Sequence, residues 1–386
     1  MVAYPKDWKK YIVGDVSLNF DKYRVPVAEN LRVRGSTPYY GANGIQDYVK
    51  GFTHDGEFVL LAEDGATDLF DYPVRHVNGK IWVNNHAHVL KGNSSYVDTK
   101  YLSYALKKVD YVSLLVGGTR AKLNAKTLKN IEITIPSNIK EQQAITAALN
   151  SFDEHIDNLT ELIEKKKAIR DGALEDLVTG KARLDGFDGQ WKCSRLDKLT
   201  KQIITGGTPS TAENKYWNGE IPWLSSTEIH QKRITSPTSY ITEVGLNNSS
   251  AKIAPSFSVI VALAGQGKTR GTVAILEKAM ALNQSLAAMV VNDGTDFTFL
   301  YYALEKSYEA LRELSSGDGG RGGLNKKILK EFEIKVPPSK KEQKAIASIL
   351  NVMDEEISVL VEERNKIIQI KDGAMDDLLT GKVRLV

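Results

Sequence analysis

The sequence predicts an α+β protein with a pseudo-twofold internal repeat, in which two globular α/β-mixed segments are separated by two long helices forming an antiparallel coiled coil. Three observations predict it. A central stretch of the 386-residue chain recurs at its end without a gap, that stretch carries a heptad pattern, and the segments before it show short apolar runs between turn residues.

The repeat decides the organisation. Lys140-Glu141-Gln142 recurs as Lys341-Glu342-Gln343, Asp171-Gly172-Ala173 as Asp372-Gly373-Ala374, and Thr179-Gly180-Lys181-Ala182-Arg183-Leu184 as Thr380-Gly381-Lys382-Val383-Arg384-Leu385. From Lys140 to Leu184, 24 of 45 positions match their counterparts, against about 6% by chance, so the stretch is a true duplication. A fainter echo at the same offset couples Arg120 with Arg321, Leu123-Asn124 with Leu324-Asn325, and Leu128-Lys129 with Leu329-Lys330. Further upstream the halves diverge. One part of each copy therefore does a common job while the other does two different ones.

The duplicated stretches read as helices. Between Glu141 and Leu177 there is no proline and one glycine, Gly172. Apolar residues fall at Ile145, Leu149, Phe152, Ile156, Leu159 and Ile163, and in the second copy at Ile346, Leu350, Met353, Ile357 and Leu360, the a/d spacing of a coiled coil. Ser137 and Ser339 stand as N-caps, with Glu141 and Glu342 in the first turns where the helix dipole favours them. Gly180 and Gly381 stand at the stops. A helix of about 38 residues is about 57 Å long and must bury its narrow stripe. The partner expected for each copy is the other, antiparallel because a globular segment separates them. The expected boundaries are 1–137 and 183–337 for the globular segments, and 138–182 and 338–386 for the helical ones.

Within the globular segments, residues 58–62, 80–83, 131–135, 258–262 and 332–336 read as strands, and 101–108 and 298–314 as helices. The loops between them are polar and glycine-bearing: 35–44, 206–210, 265–271 and 319–323. Such loops let backbone amides approach phosphates while side chains reach the grooves of a duplex. The candidate nucleic-acid contacts are Thr37, Tyr39, Tyr40, Asn43, Arg120 and Lys122 in the first segment, and Thr208, Ser210, Gln266, Lys268, Arg270, Arg321 and Asn325 in the second. The same loops are open to a second reading as ordinary turns, and Arg120 and Arg321 as anchors between helix and domain.

Charge follows the same organisation. The net charge of +3 is small, but the two globular segments carry about +4 and +3 and the helical ones about −3 and −1. The start of the chain lacks the apolar core of a signal peptide, and no run of about 18 apolar residues offers a membrane span. A lone cysteine, Cys193, fits a reducing cytoplasm.

Two stretches add a specific likeness. Gly206-Gly207-Thr208-Pro209-Ser210 followed by Lys215-Tyr216-Trp217-Asn218-Gly219-Glu220-Ile221-Pro222-Trp223-Leu224 resembles the opening of a target recognition domain in type I restriction-modification specificity subunits, and so does Tyr39-Tyr40-Gly41-Ala42-Asn43-Gly44-Ile45. Pro136, Lys140 to Ile145 and the ending Leu177-Val178-Thr179-Gly180-Lys181 resemble that family's central helical region, and their second copies its distal one. The resemblance spans essentially the whole chain. It implies a subunit without catalytic residues, whose two domains read the halves of a split site on double-stranded DNA. It further implies helices that fix the gap and dock methyltransferase subunits, with restriction subunits joining them. S-adenosylmethionine, ATP and magnesium are then expected on those partners, and no cofactor or metal on this chain.

The residues are consistent with that absence. Residues 262–269 imitate a phosphate loop, but Ala262 stands where its first glycine belongs. No Asn-Pro-Pro-aromatic methyltransferase signature occurs, and Glu333-Ile334-Lys335 lacks the upstream Pro-Asp step of a nuclease. His86 and His88 could face one side of a strand as metal ligands, but a hydrogen-bonded pair is the simpler reading without a third ligand. The alternatives are a coiled-coil scaffold with two protein-binding heads and no DNA role, and an autonomous nuclease or methyltransferase.

Overall fold

The computed structural model describes residues 4–115, 122–265, 267–314 and 323–385. The chain divides into two compact units, the first of residues 1–161 with 362–386 and the second of 162–361.

In the first unit β1 (Trp8–Ile12) leads through α1 (Val13–Val16) into β2 (Ser17–Asn19), followed by β3 (Arg34–Gly41), β4 (Gly44–Val49), β5 (His54–Ala62), β6 (Val74–Val83) and β7 (Ala87–Gly92). Helices α2 (Thr99–Lys107), α3 (Tyr111–Leu115) and α4 (Ala125–Lys129) precede β8 (Glu132–Pro136) and the long α5 (Ile139–Thr179). Six strands form one sheet in the order β2-β7-β5-β6-β3-β4, and β1 pairs with β8. The central strand β5 reads Phe-Val-Leu-Leu-Ala at its end, continuously buried, because α2 covers one face while a smaller cluster fills the other. Asp98 caps α2, its carboxylate accepting from the Tyr101 amide at 2.9 Å.

The second unit repeats the plan with a broken sheet. It contains β9 (Lys192–Arg195), α6 (Leu196–Leu199), β10 (Thr200–Thr205), β11 (Trp217–Leu224), β12 (Arg233–Ile234), β13 (Ser239–Ile241), α7 (Glu243–Asn247), β14 (Lys252–Ala254) and β15 (Val259–Ala262). After these come β16 (Val273–Leu276), β17 (Met280–Leu282), β18 (Leu286–Val291), α8 (Phe297–Lys306), α9 (Tyr308–Leu314), α10 (Lys326–Glu331), β19 (Glu333–Val336) and α11 (Lys340–Leu379). The strands form sheets in the orders β10-β18-β15-β16-β12, β13-β11-β17-β14 and β19-β9. In the first unit the single strand β6 pairs antiparallel with β5 and parallel with β3. In the second this work is divided between β16, on β15, and β17, on β11. The helix expected over 298–314 is two helices, interrupted where the Ser307 hydroxyl donates back to the Ala303 carbonyl at 2.7 Å.

Each unit holds the first part of one long helix and the last part of the other. In the first unit Ile145 and Leu149 of α5 share one core with Met375, Leu378 and Leu379 of α11. In the second, Ile346 and Leu350 of α11 share a core with Leu174, Leu177 and Val178 of α5. Early residues of one helix meet late residues of the other, so the pairing is antiparallel as the repeat predicts. The seam differs in one respect. Ile145, Leu149, Ile346 and Leu350 are also packed into the cores of the globular parts, among residues such as Leu61 and Ile133 or Val261 and Ile334. Of the remaining seam positions Leu159 and Ile163 are buried, while Phe152, Ile156, Met353, Ile357 and Leu360 are half-buried. The helical segments therefore do not stand apart as the boundaries 138–182 and 338–386 divide them; the two units share them out.

The stops behave as glycine predicts, for Gly180 and Gly381 both take φ near +70°. The starts do not. Asn138 caps α5 by accepting from the Lys140 amide at 3.0 Å, while the Ser137 hydroxyl donates to the Asp7 carbonyl at 2.7 Å.

Duplicated ion pairs cross the helices at equivalent positions. Lys371 pairs with Asp153 in the first unit, and Arg170 with Asp354 at 2.8 Å in the second. Tyr104 and Tyr302 donate their hydroxyls to the same two carboxylates. Burial pushes the Asp153 carboxyl upward, but hydrogen bonds from Lys371 and Tyr104 outweigh it and hold the group below its ordinary 3.8. Its contribution is therefore complete above about pH 4 and is lost as pH falls through the folded value. Asp153→Asn should make the first unit less stable at pH 7 and flatten the acid limb of its stability curve, measured by urea midpoints between about pH 6 and 3. An unchanged acid limb would remove Asp153 from the linkage.

Candidate nucleic-acid interface

The residues retained by both copies turn out to be fastenings. Glu141 and Glu342 are buried at the starts of α5 and α11. Glu342 takes two hydrogen bonds from Arg183 Nη2, at 2.9 and 3.1 Å, a third from Arg183 Nε at 3.1 Å, and one from the Trp191 indole at 3.0 Å. Glu141 is held by Arg384, which also grips Asp7 at 2.8 Å. The Lys-Glu-Gln and Thr-Gly-Lys-x-Arg-Leu motifs are thus the two halves of one latch, each copy closed by the other's arginine. Gln142 and Gln343 repeat this economy. Their side-chain oxygens accept from the amides of Asp98 and Asp296 at 2.9 and 2.7 Å, and their nitrogens donate to Pro136 and Pro337 carbonyls at 2.9 and 3.2 Å. Both pairs were visible as duplicated polar residues, but their partners lie far off in sequence.

Function must then rest on what differs, and the differing loops gather at one corner of each unit. The corner is built the same way twice. The amide of Asn84 donates to the Tyr40 carbonyl at 3.1 Å, as Asn283 does to Leu224 at 3.0 Å. The amides of Glu63 and Leu263 donate to the carbonyls of His86 and Ser285, each at 2.8 Å. Leu123 and Leu324 donate in turn to Glu63 and Leu263, at 2.7 and 3.1 Å. Strand end, β-turn, long loop and the segment before α4 or α10 therefore converge in each unit, although their sequences hardly agree.

In the first unit, several expected contacts are framework. Tyr39 is a correction: it is 1% exposed, and its hydroxyl accepts from the Val27 amide at 2.9 Å under the Arg32 guanidinium, 4.2 Å from the ring. Asn43 lies exposed in the hairpin turn between β3 and β4, where it bonds Gly65 at 2.8 Å and both the amide and hydroxyl of Thr67 at 3.1 Å. Thr37 and Tyr40 are half-buried on β3, and burial raises the Tyr40 phenol. Lys122 is exposed beside the corner and pairs with Glu63 at 3.1 Å. Arg120 lies outside the described residues.

In the second unit, Thr208 and Ser210 are exposed, and the Thr208 hydroxyl donates to Gln284 Oε1 at 2.6 Å. The glycines before them serve packing. A Cβ on Gly206 would stand 1.8 Å from the Leu282 carbonyl oxygen, and the Trp223 indole donates to the Gly207 carbonyl at 3.0 Å. The loop that imitates a phosphate site runs from β15 into β16, strand to strand, so it offers no helix N-terminus. Its backbone is held by Arg312 on the Gly267 carbonyl at 2.7 Å and Tyr308 on the Lys268 carbonyl at 2.9 Å. The Lys268 side chain is exposed and Arg270 half-buried. Asn325 caps α10, accepting from the Lys327 and Ile328 amides, as Asn124 caps α4. That cap explains the Leu-Asn echo. Gln266 and Arg321 lie outside the described residues.

The histidines are hydrogen-bonded. His88 is buried between Asp21 at 2.6 Å and the Leu123 carbonyl at 2.7 Å, and His86 sits on Asp64. No cluster of metal-ligating side chains occurs among the described residues.

A family model for the type I restriction modification DNA specificity domain matches residues 5–168 and again 189–371. This chain belongs to that family. The specificity subunit is 44% identical over 130 residues to a Haemophilus influenzae chain named as a type I restriction enzyme specificity subunit, a match spanning 34% of this chain and 33% of that relative. It is 25% identical to the MjaVIII specificity subunit of Methanocaldococcus jannaschii, over 99% of this chain and 94% of the relative. Its fold matches the crystal structure of a type I S subunit from M. genitalium with a TM-score of 0.69 at 19% identity, covering 96% of both chains. The fold is therefore that of this family, and the double match coincides with the internal repeat. No described helix of the specificity subunit is long and apolar enough to cross a membrane.

Proposed function

We propose that each unit of this specificity subunit reads one half of a bipartite site on double-stranded DNA, and that the helices set the gap and dock methyltransferase subunits. The observation that carries this is the corner: one hydrogen-bonded framework built twice, bearing loops that differ between the copies. Two readers of two half-sites need that difference on a framework held constant.

The helices support the second part. Ile169 on α5 and Val359 on α11 leave 61% and 62% of their surface exposed, apolar positions that a docked subunit would cover. In this reading the subunit carries no catalytic residues and works in the cytoplasm. S-adenosylmethionine, ATP and magnesium belong to the methyltransferase and restriction subunits that join it.

Co-expression with the methyltransferase subunit in a methylation-free host, followed by genome-wide mapping of methyladenine, tests the proposal. A split motif with a fixed gap is the expected result. A continuous motif, or no methylation despite a stable complex, would overturn it and favour the protein scaffold.

A further inference from the structure

We propose that the turn between β6 and β7 is the base-reading element of the first unit, and its counterpart between β17 and β18 that of the second. Asn85 and His86 then specify one half-site, and Gln284 and Ser285 the other. This rests on the reading of the protein as a bipartite DNA reader.

The two turns are one construction. Asn84 and Asn283 are buried at 4% and 8% exposure. Each accepts through its side-chain oxygen from the amide two residues on, His86 at 2.8 Å and Ser285 at 3.1 Å. Each turn is tied on one side to the end of β3 or β11 and on the other to the long loop. The tips were changed while these ties were kept. Asn85, His86 and Gln284 are exposed and Ser285 is half-buried.

The tip chemistry suits base edges. An Asn or Gln amide pairs with N6 and N7 of adenine, and Ser serves either strand partner. The Thr208 hydroxyl fixes Gln284 by its Oε1, which keeps a second lone pair while the amide NH2 stays available. Thr208 is thereby a positioning residue. Asp64 holds His86 by Nδ1, and Nε2 makes no hydrogen bond among the described residues. The Asn85 amide is likewise unengaged among the described residues, with only its backbone carbonyl approached, by Arg24 at 3.5 Å. Polar groups of differing kind, carried on turns with the same hydrogen-bond pattern and left available at their working ends among the described residues, are what two different half-sites require.

The test places Asn85→Gln with His86→Ser in the full chain, co-expressed with its methyltransferase subunit, and maps methyladenine beside the wild type. The expected result is a change confined to one half of the motif, with discrimination at one or two positions relaxed or redirected roughly tenfold or more, the gap and other half being retained. Both halves unchanged, or methylation weakened equally at every site, would overturn the assignment of the turn. Should the double variant fold poorly, Gln284→Asn makes the same test on the opposite half, where an unaltered motif counts equally against it. A wild-type motif that is not split would instead bring down the bipartite reading itself.

Discussion

Replacing Arg183 by alanine should lower the stability of the second unit by about 3 kcal/mol, measured by urea unfolding followed through tryptophan fluorescence. The reason is what the change leaves behind. Glu342 is 1% exposed, and among the described residues Arg183 supplies three of its four side-chain hydrogen bonds, leaving the Trp191 indole. Removing one partner of a buried pair costs about 3–5 kcal/mol because an uncompensated charge remains. The lower end applies because Arg183 itself is 30% exposed, so water can enter. Arg183→Lys should recover only part of the loss, since an ammonium cannot reproduce the fork. Arg183→Met combined with Glu342→Leu should recover most of it, because no charge is then left unpaired. A single variant as stable as the wild type would show that the latch contributes nothing to the fold.

Gly206→Ala should be about as damaging, for a different reason. A Cβ there would lie 1.8 Å from the Leu282 carbonyl oxygen and 2.4 Å from its carbon. These are backbone atoms of β17, held in register against β11 and β14, so neither can swing aside as a side-chain tip would. Overpacking commonly costs about 1–3 kcal/mol, and with backbone as the obstacle the upper figure is expected. Thermal unfolding measures it. Were Gly206 there to bring its amide to a phosphate, alanine would weaken DNA binding and leave stability intact; the structure predicts the reverse order of effects.

Gly206 shows where sequence reading falls short. A glycine pair in a polar loop is equally compatible with a ligand cradle and with a close crossing of strands, and the distinction lies in Leu282, some 76 residues away. Tyr39 fails for the same reason. Its motif resembles a recognition loop, but the following strand pairing turns the ring inward under Arg32. Asn325 and Asn124 were legible as a duplicated pair, and only the helices that begin beside them disclose two N-caps. Asn84 and Asn283 left no recognisable echo, because what the two turns share is a hydrogen-bond pattern rather than a run of residues.

The sequence by itself determined the duplication, the two long helices with their glycine stops, the strands beside them and the antiparallel pairing. These follow from local periodicity and from one constant spacing, and both are written along the chain. Tertiary structure decided which duplicated residues fasten the units and which loops meet at one corner. Those depend on contacts between residues such as Arg183 and Glu342, or His86 and Glu63, whose neighbourhood is set by closing the sheets and not by any pattern in the order of residues.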